Sequence, residues 1–412
     1  MADGAPRPRI LFVAETATLA HVARPLVLAR ALDAARYEVH FACGDGFDAF
    51  IERIDFPRWR IHSAGSESFL RALALGTPLY DARKLATYVP EDLRLLDEVS
   101  PDLVVGDFRL SLSISTALRQ VRYATITNAH WSPYSGIRRF PLPEHPLTAV
   151  LGVSLAQAAF NALRPAIFAY HARPTNVMRR RHGLPPLGSL AHVYTAADFT
   201  LYADVPSISP TVVLPSHHRY LGPVLWSPDV AAPSWWNDVG KRDCVYVTLG
   251  SSGRAALLPD VLEALSALPV DVLAATAGRV APAAMPSNAW VTDYLPGTAA
   301  AKRSVLVVAN GGSPTVYQAL AAGVPVLGIA SNMDQYLTMS GVVRAGAGLS
   351  LRAGKASVAA IRSAARRLID EPSFTTAARR VGEEIARYDA PSRFAAFVDE
   401  VFTSRETTVP CR

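Results

Sequence analysis

Unbroken apolar runs alternate along this chain with stretches of helical periodicity. Residues 9–14, RILFVA, form a continuous apolar run after a polar tail, which predicts a strand buried on both faces. Residues 21–36 carry apolar side chains at helical spacing, and 37–44, YEVHFACG, read as a second strand ending in glycine. Strand, helix and strand within about forty residues make a βαβ unit. The pattern recurs with DLVVGD at 102–107, a helix over 111–121, and YATITN at 123–128. Strands alternating with helices predict a parallel sheet covered on both sides.

The pattern changes over residues 206–240. Prolines 206, 210, 215, 223, 228 and 233 and the Trp235-Trp236 pair replace helical periodicity, which predicts an interdomain connection. A second alternating block follows. Its strands are DCVYVT, VDVLAA, SVLVVA and VPVLGIA, and its helices run over 257–268 and 314–323; further helices occupy 356 to the end. The expected organisation is α/β, with two doubly wound parallel-sheet domains facing across a cleft. One domain spans 1–214, a linker 215–240, the second domain 241–385, and a closing helical segment 386–412. Such sheets bind ligands at the carboxyl ends of their strands.

Composition narrows the function classes. The chain has 412 residues and is half hydrophobic, enough for two cores. Its net charge of +6 comes almost entirely from arginine, since only Lys84, Lys241, Lys302 and Lys355 are lysines. An arginine-rich, alanine-rich chain hints at a GC-rich bacterial gene. No basic stripe with interleaved aromatics appears, so nucleic acid is not an expected partner. Arg179-Arg180-Arg181 reads as a solvated helix face. Cys43, Cys244 and Cys411 are scattered without metal-like spacing, and neither a disulfide nor structural zinc is expected. Residues 147–170 are the most apolar long stretch, but Gln157, Asn161, Arg164 and Pro165 break it. It predicts a buried or membrane-apposed helix pair rather than a span. Without the order of a signal peptide at its start, the chain is expected to be cytoplasmic.

Two strand ends carry candidate phosphate chemistry. Thr248-Leu249-Gly250-Ser251-Ser252-Gly253 offers small and hydroxyl residues. Asn310-Gly311-Gly312-Ser313-Pro314-Thr315 leads from a strand into a helix whose first turn contains proline. Helix N-terminal N–H groups favour an anion there; a tight turn with an ordinary cap fits the same residues equally well.

The longer pattern Asn310-Gly311-Gly312, Thr315, Gln318, Gly323-Val324-Pro325 and Asp334-Gln335 resembles the donor signature of the GT-B glycosyltransferases. The resembling group contains UDP-glucuronosyltransferases, plant secondary-metabolite glucosyltransferases and bacterial macrolide and antibiotic glycosyltransferases. Two positions depart from it: Asn310 stands for histidine and Gln318 for glutamate. The resemblance implies that Gly312, Ser313 and Thr315 hold a diphosphate, with Thr248, Ser251 and Ser252 opposite. It implies that Asp334 and Gln335 read sugar hydroxyls, that Gln318 sits by the ribose, and that Tyr294, followed by Leu295, stacks on the base. Tyr294 is about as well explained as a half-buried core residue. In the first domain, Ala20-His21 with Pro25 four residues on, and Asp107 at a strand end, resemble the family's general base and its orienting carboxylate. Arg109 beside Asp107 is an alternative partner for that acid. His130, Trp131, Tyr134 and Phe140 are expected to line an acceptor pocket.

Together these imply an inverting transferase that needs neither metal nor cofactor. It would move a sugar from a UDP- or dTDP-sugar to a hydroxyl of an aromatic, lipidic or secondary-metabolite acceptor. A sugar-nucleotide 2-epimerase of the same fold and a catalytically inactive partner protein are the competing readings. The expected partners are a nucleotide sugar and a small acceptor, as monomer or homodimer, with peripheral membrane contact left open.

Overall fold

The computed structural model describes residues 6–48, 54–144, 147–279 and 285–406. The first domain is a seven-stranded sheet ordered β3–β2–β1–β4–β5–β6–β7. Its strands are β1 (Arg9–Ala14), β2 (Glu38–Cys43), β3 (Arg58–Arg60), β4 (Leu103–Asp107), β5 (Arg122–Thr127), β6 (Phe199–Tyr202) and β7 (His218–Tyr220). The second sheet runs β10–β9–β8–β11–β12–β13. Its strands are β8 (Asp243–Thr248), β9 (Val270–Ala275), β10 (Ala289–Thr292), β11 (Ser304–Ala309), β12 (Val326–Ala330) and β13 (Gly348–Arg352). Every pairing is parallel, as the two-sided burial of the apolar runs requires.

Both strand orders reverse direction at one point. In the first sheet the chain moves outward from β1 through β2 and β3, then returns to lay β4 beside β1. In the second it moves outward from β8 and returns at β11. Each reversal opens a crevice at the strand ends. Six helices matter for the site: α1 (Leu19–Arg30), α2 (Ser66–Leu75), α3 (Leu147–Arg181), α4 (Ser313–Ala321), α5 (Met333–Arg344) and α6 (Ala390–Glu406). α1 leaves β1 at the first reversal, and α4 leaves β11 at the second.

The final helix belongs to the first domain's core. Phe394, Phe397, Val398 and Val401 of α6 are buried with Phe12, Leu26 and Phe41, and the Phe12 and Phe394 rings lie 5.7 Å apart. The expected linker begins later than the proline pattern implies, because His218–Tyr220 pair with β6 as the last strand of the first sheet. α3 is divided into two helical segments at Gly152, where φ is 71° and ψ is 160°, as the expected helix pair requires. It is not a buried apolar rod: Ala156, Phe160 and Phe168 are buried while Leu155, Leu163 and Tyr170 are exposed. Among the described residues no helix is long and apolar enough to cross a membrane. Arg179 corrects a second expectation. It is buried, donating to the carbonyls of Ser113 and Pro185, and only Arg180 and Arg181 face solvent.

Several contacts hold the two domains together. The buried Tyr317 hydroxyl of α4 donates to Asp204 Oδ1 of the first domain at 2.8 Å. Tyr336 donates to Glu144 at 2.8 Å. Gly341 of α5 sits against the Ile208 carbonyl so closely that a Cβ there would lie 2.2 Å from the oxygen. Only glycine allows that approach.

Candidate active site

The first reversal assembles a charged cluster from α1 and β4. His21, on the first turn of α1, has Nδ1 2.8 Å from Asp107 Oδ1. Asp107, the last residue of β4, is fully buried. Arg24 lies one helical turn beyond His21 on the same face. It clamps Asp107 with both arms, Nε to Oδ2 and Nη2 to Oδ1, each at 2.8 Å. Its remaining arm donates to Asn128 Oδ1 at 3.2 Å. Arg24 Nη2 also lies 3.1 Å from His21 Nδ1. With the imidazole proton on Nδ1, donated to the Asp107 carboxylate, the Nε2 lone pair is left free.

Arg24 was not anticipated, and Arg109 does not take its place. The Arg109 guanidinium is fully buried and turned away, 2.9 Å from both Glu91 and Asp92 and 3.7 Å from the Tyr88 ring centre. Phe108 was also not anticipated. It follows Asp107 with a left-handed φ of 61°, uncommon for a bulky residue. Its ring stacks on the His21 imidazole, with centroids 4.5 Å apart and planes inclined by 11°. The Tyr80 hydroxyl lies 2.6 Å from the Phe108 carbonyl and 2.8 Å from the buried Glu15 carboxylate. The stack therefore fixes the imidazole plane from one side while Asp107 fixes it from its edge.

The second reversal brings the two glycine- and serine-rich loops together. Asn310 is the link between them. Its side-chain N–H donates to Ser252 Oγ at 3.2 Å, and its carbonyl oxygen accepts the Gly312 N–H at 2.9 Å. Gly311 between them has φ 84°, which an L side chain resists. Asn310 is thus a buried loop tie rather than a group aimed at a ligand. Arg279 adds to the frame by donating to the Ser251 and Gly253 carbonyls. α4 begins on Gly312 with no side-chain cap. The N–H groups of its first turn have no partner within the helix and point toward the strand ends. Replacing Asn310 with alanine removes both bonds. We expect a loss of about 1–2 kcal/mol in second-domain stability together with weaker nucleotide binding, read by thermal melting and titration; unchanged values for both would remove this role.

One cavity of about 470 Å³ joins these parts. His21, Arg24, Asp107 and Phe108 line it from the first domain, and Ser252, Gly312, Ser313, Asp334 and Gln335 from the second. Phe69, Leu73, Phe160, Phe168, Trp131 and Tyr194 give it an apolar and aromatic side. A larger depression of about 720 Å³ on the first domain holds none of these residues, and its Arg219 and Glu400 pair with each other at 2.5 Å.

Asp334 sits in the first turn of α5 and is held from across the cleft. Its Oδ1 accepts from His130 Nε2 at 3.0 Å and from Trp131 Nε1 at 2.8 Å. Burial pushes the Asp334 carboxyl up, but the bonds and charge of His130 and the indole N–H outweigh it and bring it down to about 2. Gln335 closes a capping box at the same helix start. Its Oε1 accepts the Ser331 and Asn332 N–H groups, and its backbone N–H donates to Asn332 Oδ1 at 3.1 Å.

Several expected site residues do not line this cavity. Gln318 donates to the Trp226 carbonyl of the connection and is absent from the cavity wall. Leu295 is 2% exposed in the second domain's core. Thr248 is buried and its hydroxyl accepts the Gly250 N–H at 3.3 Å. Tyr294 is half-buried with its hydroxyl near Gly278, and Thr315 is half-buried on α4. Of the four acceptor candidates only Trp131 lines the cavity. His130 faces Asp334, Phe140 packs behind Trp131, and Tyr134 stacks edge-on to His218 at 5.2 Å.

Comparison with known proteins identifies the family and the fold. Residues 259–401 match the family described as erythromycin biosynthesis protein CIII-like, C-terminal domain. The chain is 52% identical over 381 residues to the PGL/p-HBAD biosynthesis glycosyltransferase of Mycobacterium tuberculosis (strain ATCC 25177 / H37Ra), covering 92% of this chain and 89% of that one. It is 50% identical over 392 residues to the PGL/p-HBAD biosynthesis rhamnosyltransferase of Mycobacterium bovis (strain BCG / Pasteur 1173P2), covering 93% and 87%. The solved structure of the spinosyn rhamnosyltransferase SpnG complexed with thymidine diphosphate matches with a TM-score of 0.68 at 19% identity, over 96% of this chain and 100% of that one. Half-identity over nine-tenths of the length and two facing parallel sheets lead to one conclusion: the chain belongs to the family 1 GT-B glycosyltransferases of the bacterial antibiotic type, and it is a glycosyltransferase.

Proposed function

We propose that this enzyme is an inverting, metal-independent transferase that moves a hexose from a dTDP- or UDP-sugar to the hydroxyl of an aromatic or lipidic acceptor. The observation that carries this reading is the Asp107-held His21 sharing one cavity with the uncapped start of α4. The acceptor occupies the aromatic side of the cavity. His21 Nε2 takes its hydroxyl proton, and the oxygen forms a bond to the anomeric carbon. The bond from that carbon to the diphosphate oxygen breaks from the opposite face, and the nucleoside diphosphate leaves with the electron pair. An imidazole with a carboxylate partner suits this proton transfer near neutral pH. Charge developing on the diphosphate meets the α4 dipole and its first-turn N–H groups. Asp334 receives a sugar hydroxyl.

The relatives favour a deoxysugar on dTDP, since one is named a rhamnosyltransferase and a structural neighbour carries thymidine diphosphate. A panel of dTDP-rhamnose, dTDP-glucose and UDP-glucose in thermal shift tests this. A ligand at a hundred times its Kd adds about 2.7 kcal/mol to the native state, so the preferred donor should raise the melting temperature visibly. Prolonged incubation in EDTA should then release free sugar slowly by hydrolysis. Epimerised sugar would establish the epimerase instead, and no shift with any donor would point to an inactive partner.

A further inference from the structure

We propose that His130 and Trp131 are positioning residues for donor-sugar recognition, acting from the acceptor domain through Asp334. The inference rests on the reading that Asp334 receives a sugar hydroxyl. Both first-domain N–H groups converge on a single oxygen, Oδ1, at 3.0 and 2.8 Å. The Asp334 side chain nevertheless keeps 43% of its surface exposed, so the other oxygen is the one presented to a ligand. A carboxylate with one oxygen committed has its plane fixed, and the hydroxyl it accepts is fixed with it.

The holders are themselves held. His130 is 1% exposed, with its second nitrogen 3.3 Å from Ser209 Oγ. Nε2 donates to Asp334 and Nδ1 faces the serine hydroxyl, so both ring nitrogens have a partner. The Trp131 ring is packed against Phe140, Phe168 and Tyr194, with the Tyr194 centroid 5.3 Å away. The opposite face of this arrangement is the acceptor side of the cavity, which Trp131 also lines. One indole therefore touches the acceptor space with its ring and the sugar-reading carboxylate with its N–H. The two bonds form only when the domains face each other as they do here, so sugar recognition becomes conditional on closure.

The test compares Trp131→Phe, which keeps the ring and removes the N–H, with His130→Gln and Asp334→Ala. Calorimetry gives Kd for dTDP and dTDP-rhamnose, and for UDP and UDP-glucose, on each protein. Trp131→Phe and His130→Gln should weaken the sugar conjugate about tenfold while leaving the bare diphosphate within twofold. In an Asp334→Ala background, which leaves no oxygen for either N–H, neither change should add further loss, because the shared route is already cut. Equal weakening of conjugate and diphosphate, or no weakening of either, would overturn the inference while leaving the donor site standing. If the unaltered chain binds no conjugate more tightly than its diphosphate, the reading of Asp334 fails and this inference falls with it.

Discussion

His21→Ala is expected to reduce sugar transfer by roughly 10²–10⁴-fold while donor affinity stays unchanged. The reasoning separates chemistry from structure. The imidazole is the group with a lone pair free toward the cavity, and Asp107 keeps its proton on the far nitrogen. Removing it removes the acceptor for the hydroxyl proton. It removes nothing from the donor loops, which belong to the other domain. It also leaves the Arg24–Asp107 clamp closed, so the buried charges stay paired and the fold should melt as before. Steady-state kcat, measured beside donor Kd by calorimetry, decides the matter. Turnover within tenfold of the parent would exclude His21 as the base.

Asp107→Asn should lose both activity and stability, and that difference from His21→Ala is informative. Asp107 is fully buried and accepts three short bonds, two of them from Arg24. Neutralising it strands a guanidinium that is nearly buried. Breaking one side of such a pair costs about 3–5 kcal/mol. The imidazole also loses the acceptor that selects its tautomer, and comparable orienting acids are worth about 10⁴-fold in rate. The double substitution Asp107→Asn with Arg24→Gln should recover most of the melting temperature, because a neutral pair can stay hydrogen-bonded without a stranded charge. It should not recover turnover. A melting temperature unaffected by Asp107→Asn would mean that the clamp contributes no net stability.

The Asn310 and Gln318 departures show where motif reading stops. The resembling family has histidine and glutamate, both ionisable, at these two positions. In the structure each amide is consumed internally: Asn310 ties Ser252 to Gly312, and Gln318 reaches the connecting segment at Trp226. An amide can donate and accept at once, which suits a loop tie. Nothing in a one-dimensional spacing distinguishes a side chain pointing at a ligand from one pointing at the neighbouring loop. Arg24 was partly legible, because residues three apart share a helix face. Its target was not, since Asp107 lies 83 positions away and competes between two arginines.

The amino-acid sequence by itself determined the architecture. Continuous apolar runs can only be buried on both faces, and their alternation with helices forces parallel sheets whose strand ends form a cleft. It also placed His21, Asp107, the glycine loop and Asp334 at those ends, because each follows directly on a strand or begins a helix. Tertiary structure alone decided the pairing of charges: Arg24 rather than Arg109 on Asp107, and on Asp334 both His130, which does not line the cavity, and the N–H of Trp131, which does. The physical reason is that secondary structure follows from local periodicity, whereas the partner of a buried charge is fixed by which groups the folded chain brings within about 3 Å of it and shields from water.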